Sequence, residues 1–353
     1  MAVFVTFVTA CLAAAPAECA LRLLPAGVAA DQATCAAQGD SLSDSWLAVH
    51  PGLTGQGWHC APLTDAPALS LLEVAPGVHV HLGDTGPLSP ENRGRIANLG
   101  VVIGRDAVAV IDPGGSREEG EALFAAIRRL TDLPIGPVIL THMHPDHLAG
   151  AEVFAEAGGE IVADHRLPEA LATRTETWME SIPAQIGAGA WAGTVLMPPT
   201  RTVDAETALD LGGRTLTLTP VATAHTDTDL TVRDSATDTL FTGDLVFRRL
   251  TPVVDGSLKG WLVWLAAPPP EAALIVPGHG PVAASLVEAA SDESAYLTAL
   301  RDAVRAALDA GHGLSAAVPA IGTAMAPHAG AWADFDATTA RNAAAAYAEM
   351  EWD

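Results

Sequence analysis

The chain has 353 residues, enough for two domains or one large domain with attachments. With 42 acidic against 18 basic residues its formal net charge is −24. Such a surface repels phosphate backbones and anionic bilayers, so no nucleic-acid partner is expected. Hydrophobic residues make up 49% of the chain, enough for a sizeable core, but no unbroken run of about 18 apolar residues occurs and no membrane insertion is expected.

Residues 1–62 form a first unit, a small α+β domain. All four cysteines lie in it, at Cys11, Cys19, Cys35 and Cys60. They can make two disulfides in any of three pairings. A structural zinc site is the competitor, but its usual short Cys-x2–4-Cys pair is missing. Disulfides imply an oxidising compartment, hence a periplasmic or otherwise exported protein. The opening MAVFVTFVTACLAAAPAEC has the apolar stretch and small-residue APA of a signal peptide, but no base precedes Arg22. Cleavage after Ala17 would also remove Cys11 and leave an odd count. VFVTFVTA is rich in β-branched and aromatic residues, so residues 3–12 are read as a strand, with any export signal upstream or already removed. A helix is expected over Gln38–Val49, and the unit ends in GWHC.

Residues 63–70 are a Pro/Ala-rich linker, and a main domain is expected over 71–290. LEVAPGVHVHLG reads as two short strands around a Pro-Gly turn. ANLGVVIGRDAVAVID reads as a hairpin turning at Gly104–Arg105–Asp106, with Asp112 at its end. SREEGEALFAAIRRLTD is an amphipathic helix, opened by Ser116 and Glu119 at capping-box spacing. IGPVILTH is a strand, LAGAEVFAEAGG a helix stopped by Gly158–Gly159, and EIVADH a further strand. Strand–helix–strand–helix–strand implies a parallel sheet covered by helices. In the second half, TALDLGGRTLTLTPVATAH and LTVRDSATDTLFTGDLV read as hairpins, and AALIVPGHGP as a strand ending at His279. Residues 292–309 and 336–351 look helical, with loop between them; the whole of 291–353 is read as a helical extension packed on the main domain.

The densest chemistry is in THMHPDHLAG at 141–150. His142, His144, Asp146 and His147 fall within six positions. His142 and His144 alternate along an extended chain, so both rings face one way. Pro145 stiffens the turn, and Asp146 and His147 point elsewhere. Two sets of donors aimed at two nearby points suit a pair of metal ions, and imidazole nitrogen with carboxylate oxygen suits zinc. Four residues cannot complete two sites. Downstream, His225 closes the expected strand LTPVATAH, Asp244 closes TLFTGD, and His279 sits in IVPGHG just past a strand, where functional groups of open α/β sheets gather. His165 is read as structural, and His79 and His81 as surface and core positions on one strand.

HMHPDH with AHTDTDL, FTGDLVF and VPGHGP resembles the metallo-β-lactamase superfamily of zinc hydrolases, over roughly residues 73–300. The resemblance implies an αββα sandwich. It implies that His142, His144 and His225 hold one zinc, that Asp146, His147 and His279 hold a second, and that Asp244 bridges them. A water or hydroxide between the two metals is that family's nucleophile. Asp146 is a candidate to relay a proton as well as bind metal, and Asp112 to orient a ligating histidine. The same ligand types also suit iron or manganese.

FRRLTPVVDGSLKGWL at 247–262 resembles the SoxH-like branch, whose similar stretch makes Ser257 and Trp261 substrate-pocket candidates. With the preface ending Trp58-His59-Cys60, the chain is similar to the quinoprotein relay system zinc metallohydrolases. These are exported proteins found beside quinoprotein dehydrogenases that use pyrroloquinoline quinone. The expected function is therefore a dinuclear zinc hydrolase of a small-molecule ester, thioester, lactone or amide. The runners-up are a mononuclear-iron persulfide dioxygenase and a maturation or binding partner of a redox protein.

Overall fold

The computed structural model describes residues 3–352. The chain opens with a three-stranded antiparallel sheet: β1 (Phe4–Leu12) lies between β2 (Ala15–Ala29) and β3 (Leu53–Pro62). Between β2 and β3 runs α1 (Gln32–Val49), which begins six residues earlier than expected because Asp31 caps it, accepting from Thr34 N at 2.8 Å. Both disulfides form, and the structure selects the pairing. Cys11–Cys19 ties β1 to β2, and Cys35–Cys60 ties α1 to β3.

Two larger sheets follow. The first comprises β4 (Leu72–Ala75), β5 (Val78–His81), β6 (Leu99–Ile103), β7 (Val108–Ile111), β8 (Ile135–Ile139), β9 (Glu160–Asp164) and β10 (Arg201–Val203), with spatial order 10-9-8-7-6-5-4. Strands β7 to β10 pair in parallel, as the alternation of strands and helices predicts. Strands β4 to β7 form an antiparallel meander. The second sheet takes β11 (Thr207–Asp210), β12 (Thr215–Pro220), β13 (Leu230–Asp234), β14 (Thr239–Phe247) and β15 (Leu274–His279) in that order, antiparallel except for the β14–β15 pair.

The sheets face one another through Val78, Val102, Ile111, Ile139, Leu216, Val232, Phe241 and neighbours, all buried. Burial on both faces explains why β6 (LGVVI) and β7 (VAVI) read as near-continuous apolar runs, whereas β12 (TLTLTP) alternates, its leucines buried and its threonines only half-buried. Helices cover the other face of the first sheet: α2 (Arg117–Leu130), α3 (Pro145–Leu148), α4 (Ala151–Glu156), α5 (Leu167–Ile186) and α6 (Ala188–Trp191). Beyond the second sheet lie α7 (Leu258–Ala266), α8 (Leu286–Asp309), α9 (Leu314–Met325) and α10 (Phe335–Met350). This is the αββα sandwich, with the disulfide-bonded unit packed beside it. α9 replaces part of the expected loop. Pro319 and Gly322 disguise it, yet Ala317, Ile321 and Met325 recur at four-residue spacing and are buried.

Two buried arginines join the N-terminal sheet to the sandwich, and Arg22 of β2 also lies 3.8 and 3.9 Å from Glu118 and Glu121 of α2. Arg117, wholly buried, reaches Glu121 at 2.9 Å, Glu152 at 2.6 Å and Glu156 at 2.8 Å, and donates to Leu23 O of β2. Arg22 of β2 donates to Ala192 O and Gly189 O at 2.7 and 2.6 Å. A buried guanidinium is tolerable only when paired on this scale. In α2, Ser116 caps as expected, accepting from Glu119 N. Glu119 reaches back to Gly115 N rather than to the capping residue itself.

Candidate metal centre

Seven side chains converge at one end of the sandwich. β8 runs into the loop carrying His142 and His144. His144 stands just before α3 and Pro145 opens it, which swings Asp146 and His147 away to a second point. His225 lies in the turn between β12 and β13, five positions past the strand end, rather than closing the strand. Asp244 sits inside β14, at an irregularity in its pairing with β15, and not at the strand's end. His279 is the last residue of β15.

The donors form two groups, His142 with His144, His225 and Asp244, and Asp146 with His147 and His279. In the first, His144 Nδ1 is 3.2 Å from His142 Nε2 and 2.9 Å from His225 Nε2, and Asp244 Oδ2 is 3.4 Å from His225 Nε2 and 3.6 Å from His142 Nε2. In the second, His147 Nε2 is 3.4 Å from His279 Nε2, and Asp146 Oδ2 is 3.6 and 3.5 Å from those two nitrogens. Asp244 reaches into this group too, at 3.1 Å from His147 and 3.3 Å from His279. A tetrahedron with metal–nitrogen bonds of about 2.0–2.1 Å has edges of about 3.3–3.4 Å, so these spacings suit a zinc-sized cation.

Every histidine has its other ring nitrogen placed against an acceptor. His147 Nδ1 meets Asp112 Oδ2 at 2.8 Å, His225 Nδ1 meets Val253 O at 2.7 Å, and His279 Nδ1 meets Ile96 O at 2.8 Å. His142 Nδ1 lies 3.1 Å from Thr141 Oγ1, which itself donates to Asp112 Oδ2 at 2.7 Å. His144 Nε2 meets Asp255 Oδ2 at 3.0 Å. With the outer nitrogen protonated in each ring, five inner lone pairs face the two points. Metal-binding histidines are held in this way. Asp112, buried and in left-handed backbone (φ 54°), serves both groups, meeting His147 directly and His142 through Thr141 Oγ1, while its Oδ1 accepts from Thr141 N at 2.8 Å.

The electrostatics agree. Burial pushes His225 down to about 3 and His142 well below the usual imidazole range, so both rings are neutral and able to donate a lone pair. Burial acts the same way on His147 and His279. There Asp244 and Asp146, joined at His147 by Asp112, outweigh it and raise both. For Asp244 burial favours the neutral acid, but His147, His279 and His142 overcome it and hold the carboxyl well below the usual range. The second group thus calls for positive charge, from protons or from a cation. Asp244 Oδ1 is buried and accepts no hydrogen bond, with His147 Nε2 3.1 Å away, an arrangement that suits a carboxylate binding a cation. Behind it the backbone is closed, because a Cβ on Gly278 would overlap Asp244 Oδ1.

A cleft of about 410 Å³ opens onto His144, Asp146, Asp244 and His279. Leu88, Ile96, Trp178, Ile182, Phe247 and Leu250 give it apolar walls. Ser257 and Trp261 do not line it. Trp261 is wholly buried behind the site, its ring centroid 5.3 Å from that of His225 and its Nε1 donating to Leu245 O. Ser257 caps α7 and donates to Glu349. The wall expected from 256–261 comes instead from α5 and the 87–96 loop. Nor do His79, His81 and His165 join the cluster; His81 meets Ser70 O and His165 lies beside Asp164.

Sequence reasoning missed Asp255 and Arg174. Arg174 grips both oxygens of Asp255 at 2.7 and 3.0 Å, fixing the acid that holds His144. It missed Asn98 as well, which donates to Pro277 O and Gly280 O and so braces the turn at His279. An acid 11 positions beyond Asp244 in an irregular segment was the one available signal for Asp255.

Two facing sheets between helices, with a histidine–aspartate cluster at one end, define a metal-dependent hydrolase class. The chain belongs to the metallo-β-lactamase superfamily, whose family model matches residues 92–279. Among solved structures, a metallo-β-lactamase from Pontibacter korlensis aligns with TM-score 0.53 and 21% identity, over 65% of this chain and 99% of that one. A stereoselective inverting sec-alkylsulfatase from Pseudomonas sp. aligns with TM-score 0.57 and 17% identity, over 82% of this chain and 54% of that one. At these identities the likeness is one of fold. A curated relative, a linear primary-alkylsulfatase from Pseudomonas sp., is 33% identical over 49 residues, which is 14% of this chain and 9% of that protein.

Proposed function

We propose that the chain is a two-metal hydrolase, with zinc at both positions, acting on a small ester, thioester, lactone or amide. The observation that carries this reading is that five outer ring nitrogens meet acceptors while the inner ones converge with Asp146 and Asp244 on two points. His142, His144 and His225 would hold one ion, Asp146, His147 and His279 the other, with Asp244 between them. A pair of divalent cations so held supplies Lewis acidity and makes water a usable nucleophile near neutral pH.

The chain's own residues do the rest. Asp112, Thr141, Asp255 and the carbonyls of Val253 and Ile96 fix the rings in one tautomer. Asp146, whose side chain is 14% exposed and faces the cleft, is placed to take a proton and return it to the leaving group. Trp178, Leu88 and Leu250 hold the apolar body of the substrate and exclude bulk water. We place the protein in an oxidising compartment on its two disulfides. The quinoprotein-associated pathway rests on the resemblance of the Trp58–Cys60 preface and the 256–261 stretch.

Metal analysis of the purified full chain should give about two zinc ions per molecule. A panel of esters, thioesters, lactones and amides, with an alkyl sulfate added in view of the alkylsulfatase match, should yield hydrolysis that a chelator abolishes. One iron per chain with persulfide oxidation would replace this reading with the dioxygenase one.

A further inference from the structure

The segment 250–258 belongs to no sheet, yet two of the histidines lean on it. Val253 O takes His225 Nδ1, and Asp255 takes His144 Nε2. Asp255 N and Ser257 N donate to His225 O and Ala224 O, and Arg174 grips Asp255; the other anchors of the segment come from α10 and from Ala333 just before it. Thr251 donates to Ala333 O through both N and Oγ1, and Ala333 N donates to Arg249 O. Glu349 accepts from Ser257 Oγ and from Leu258 N.

Between these anchors Asn342 grips the backbone on either side of Val253. Its Oδ1 accepts from Val254 N at 2.9 Å, and its Nδ2 donates to Pro252 O at 2.6 Å. Nδ2 also lies 2.9 Å from Tyr296 Oη. Asn342 is 1% exposed, so no water can take over these bonds. A side-chain amide offers one acceptor and two donors on a planar group, and here all three are used. The carbonyl between the gripped residues is the one that fixes the tautomer and tilt of His225.

The geometry points to Asn342 as a positioning residue for His225, and through it for the ion of the three-histidine group. This rests on the two-metal reading above. Residue 342 lies outside the 92–279 stretch that the superfamily model matches, so the device belongs to this chain's C-terminal helices.

The test measures stepwise zinc affinities of the full chain by competition with a chromophoric chelator. Asn342→Ala should weaken one step about 10–100-fold, the usual scale for losing an outer partner of a metal-bound histidine. That step should be the one His225→Ala abolishes, and the other step should stay within about threefold. Tyr347→Phe is the control on the same helix, since Tyr347 bonds His312 O and not the 250–258 segment. It should lower thermal stability without moving either affinity. The proposal is overturned if Asn342→Ala leaves both steps unchanged, weakens both equally, or is matched by Tyr347→Phe. Should Asn342→Ala fail to fold, Asn342→Asp, which keeps the acceptor for Val254 N, is read by the same criteria. A wild-type chain that binds fewer than two metals sinks the two-metal reading itself, a failure visible before any substitution at 342.

Discussion

Asp112→Asn separates charge and tautomer from shape. The substitution is isosteric, and Thr141 N, which donates to Oδ1 at 2.8 Å, dictates that the amide oxygen stay on that side. The amide nitrogen must then take the place of Oδ2, facing Thr141 Oγ1 and His147 Nδ1. The hydroxyl can rotate to accept. The imidazole can accept only if its proton moves to Nε2, the atom aimed at Asp146 and His279. Its ligating lone pair is lost in that tautomer. Metal affinity at the Asp146–His147–His279 group should fall about 10–100-fold, with little change in fold stability. Asp112→Ala would add the cost of a buried unmet Thr141 N–H, about 1–3 kcal/mol. The assay is stepwise zinc competition, with nitrogen NMR of labelled histidine reporting the His147 tautomer. An Asp112→Asn protein that binds both metals with wild-type affinity would refute the reasoning.

Asp244→Asn should cost both metals together, because Asp244 approaches both groups; selective loss of one ion, seen by metal analysis, would place it in a single group. Glu293 is buried with Oε2 unpartnered and Oε1 accepting from Phe247 N, and burial lifts its pKa well above the ordinary 4.5. Folding therefore takes up a proton there, and stability falls as pH rises above about 4.5. Glu293→Gln should match wild type near pH 4.5 and melt higher at pH 8; equal melting temperatures at both pH values would contradict the burial argument. Replacing both Cys35 and Cys60 by alanine opens a loop of 25 residues and should cost about 3–4 kcal/mol, read by urea denaturation.

Much of the site was legible because its chemistry is local. HMHPDH carries four donors in six positions, and the turn at Pro145 that splits them follows from proline's fixed φ. His225, Asp244 and His279 were legible only as motifs in order, since their meeting depends on how two sheets pack. Asp255 and Arg174 left almost no trace, because an outer partner needs only one atom in the right place and can come from any loop. Trp261 misled for the opposite reason. An aromatic beside a metal motif invites a pocket role, but its large apolar surface is more readily buried, and it packs behind His225. The helix at 314–325 was hidden by Pro319 and Gly322, where burial of one face outweighs poor local propensity. Of the three possible cysteine pairings, the hairpin geometry of β1 and β2 selects one, and spacing alone could not.

The closed backbone at Gly278 has a consequence for how this chain tolerates change. Position 278 offers no functional group, yet even the smallest substitution, alanine, would push the shared carboxylate out of place. In a saturation library selected for turnover, it should be as depleted of variants as the seven proposed metal ligands. A chemically mute residue can thus be under the same selection as the groups that perform the chemistry.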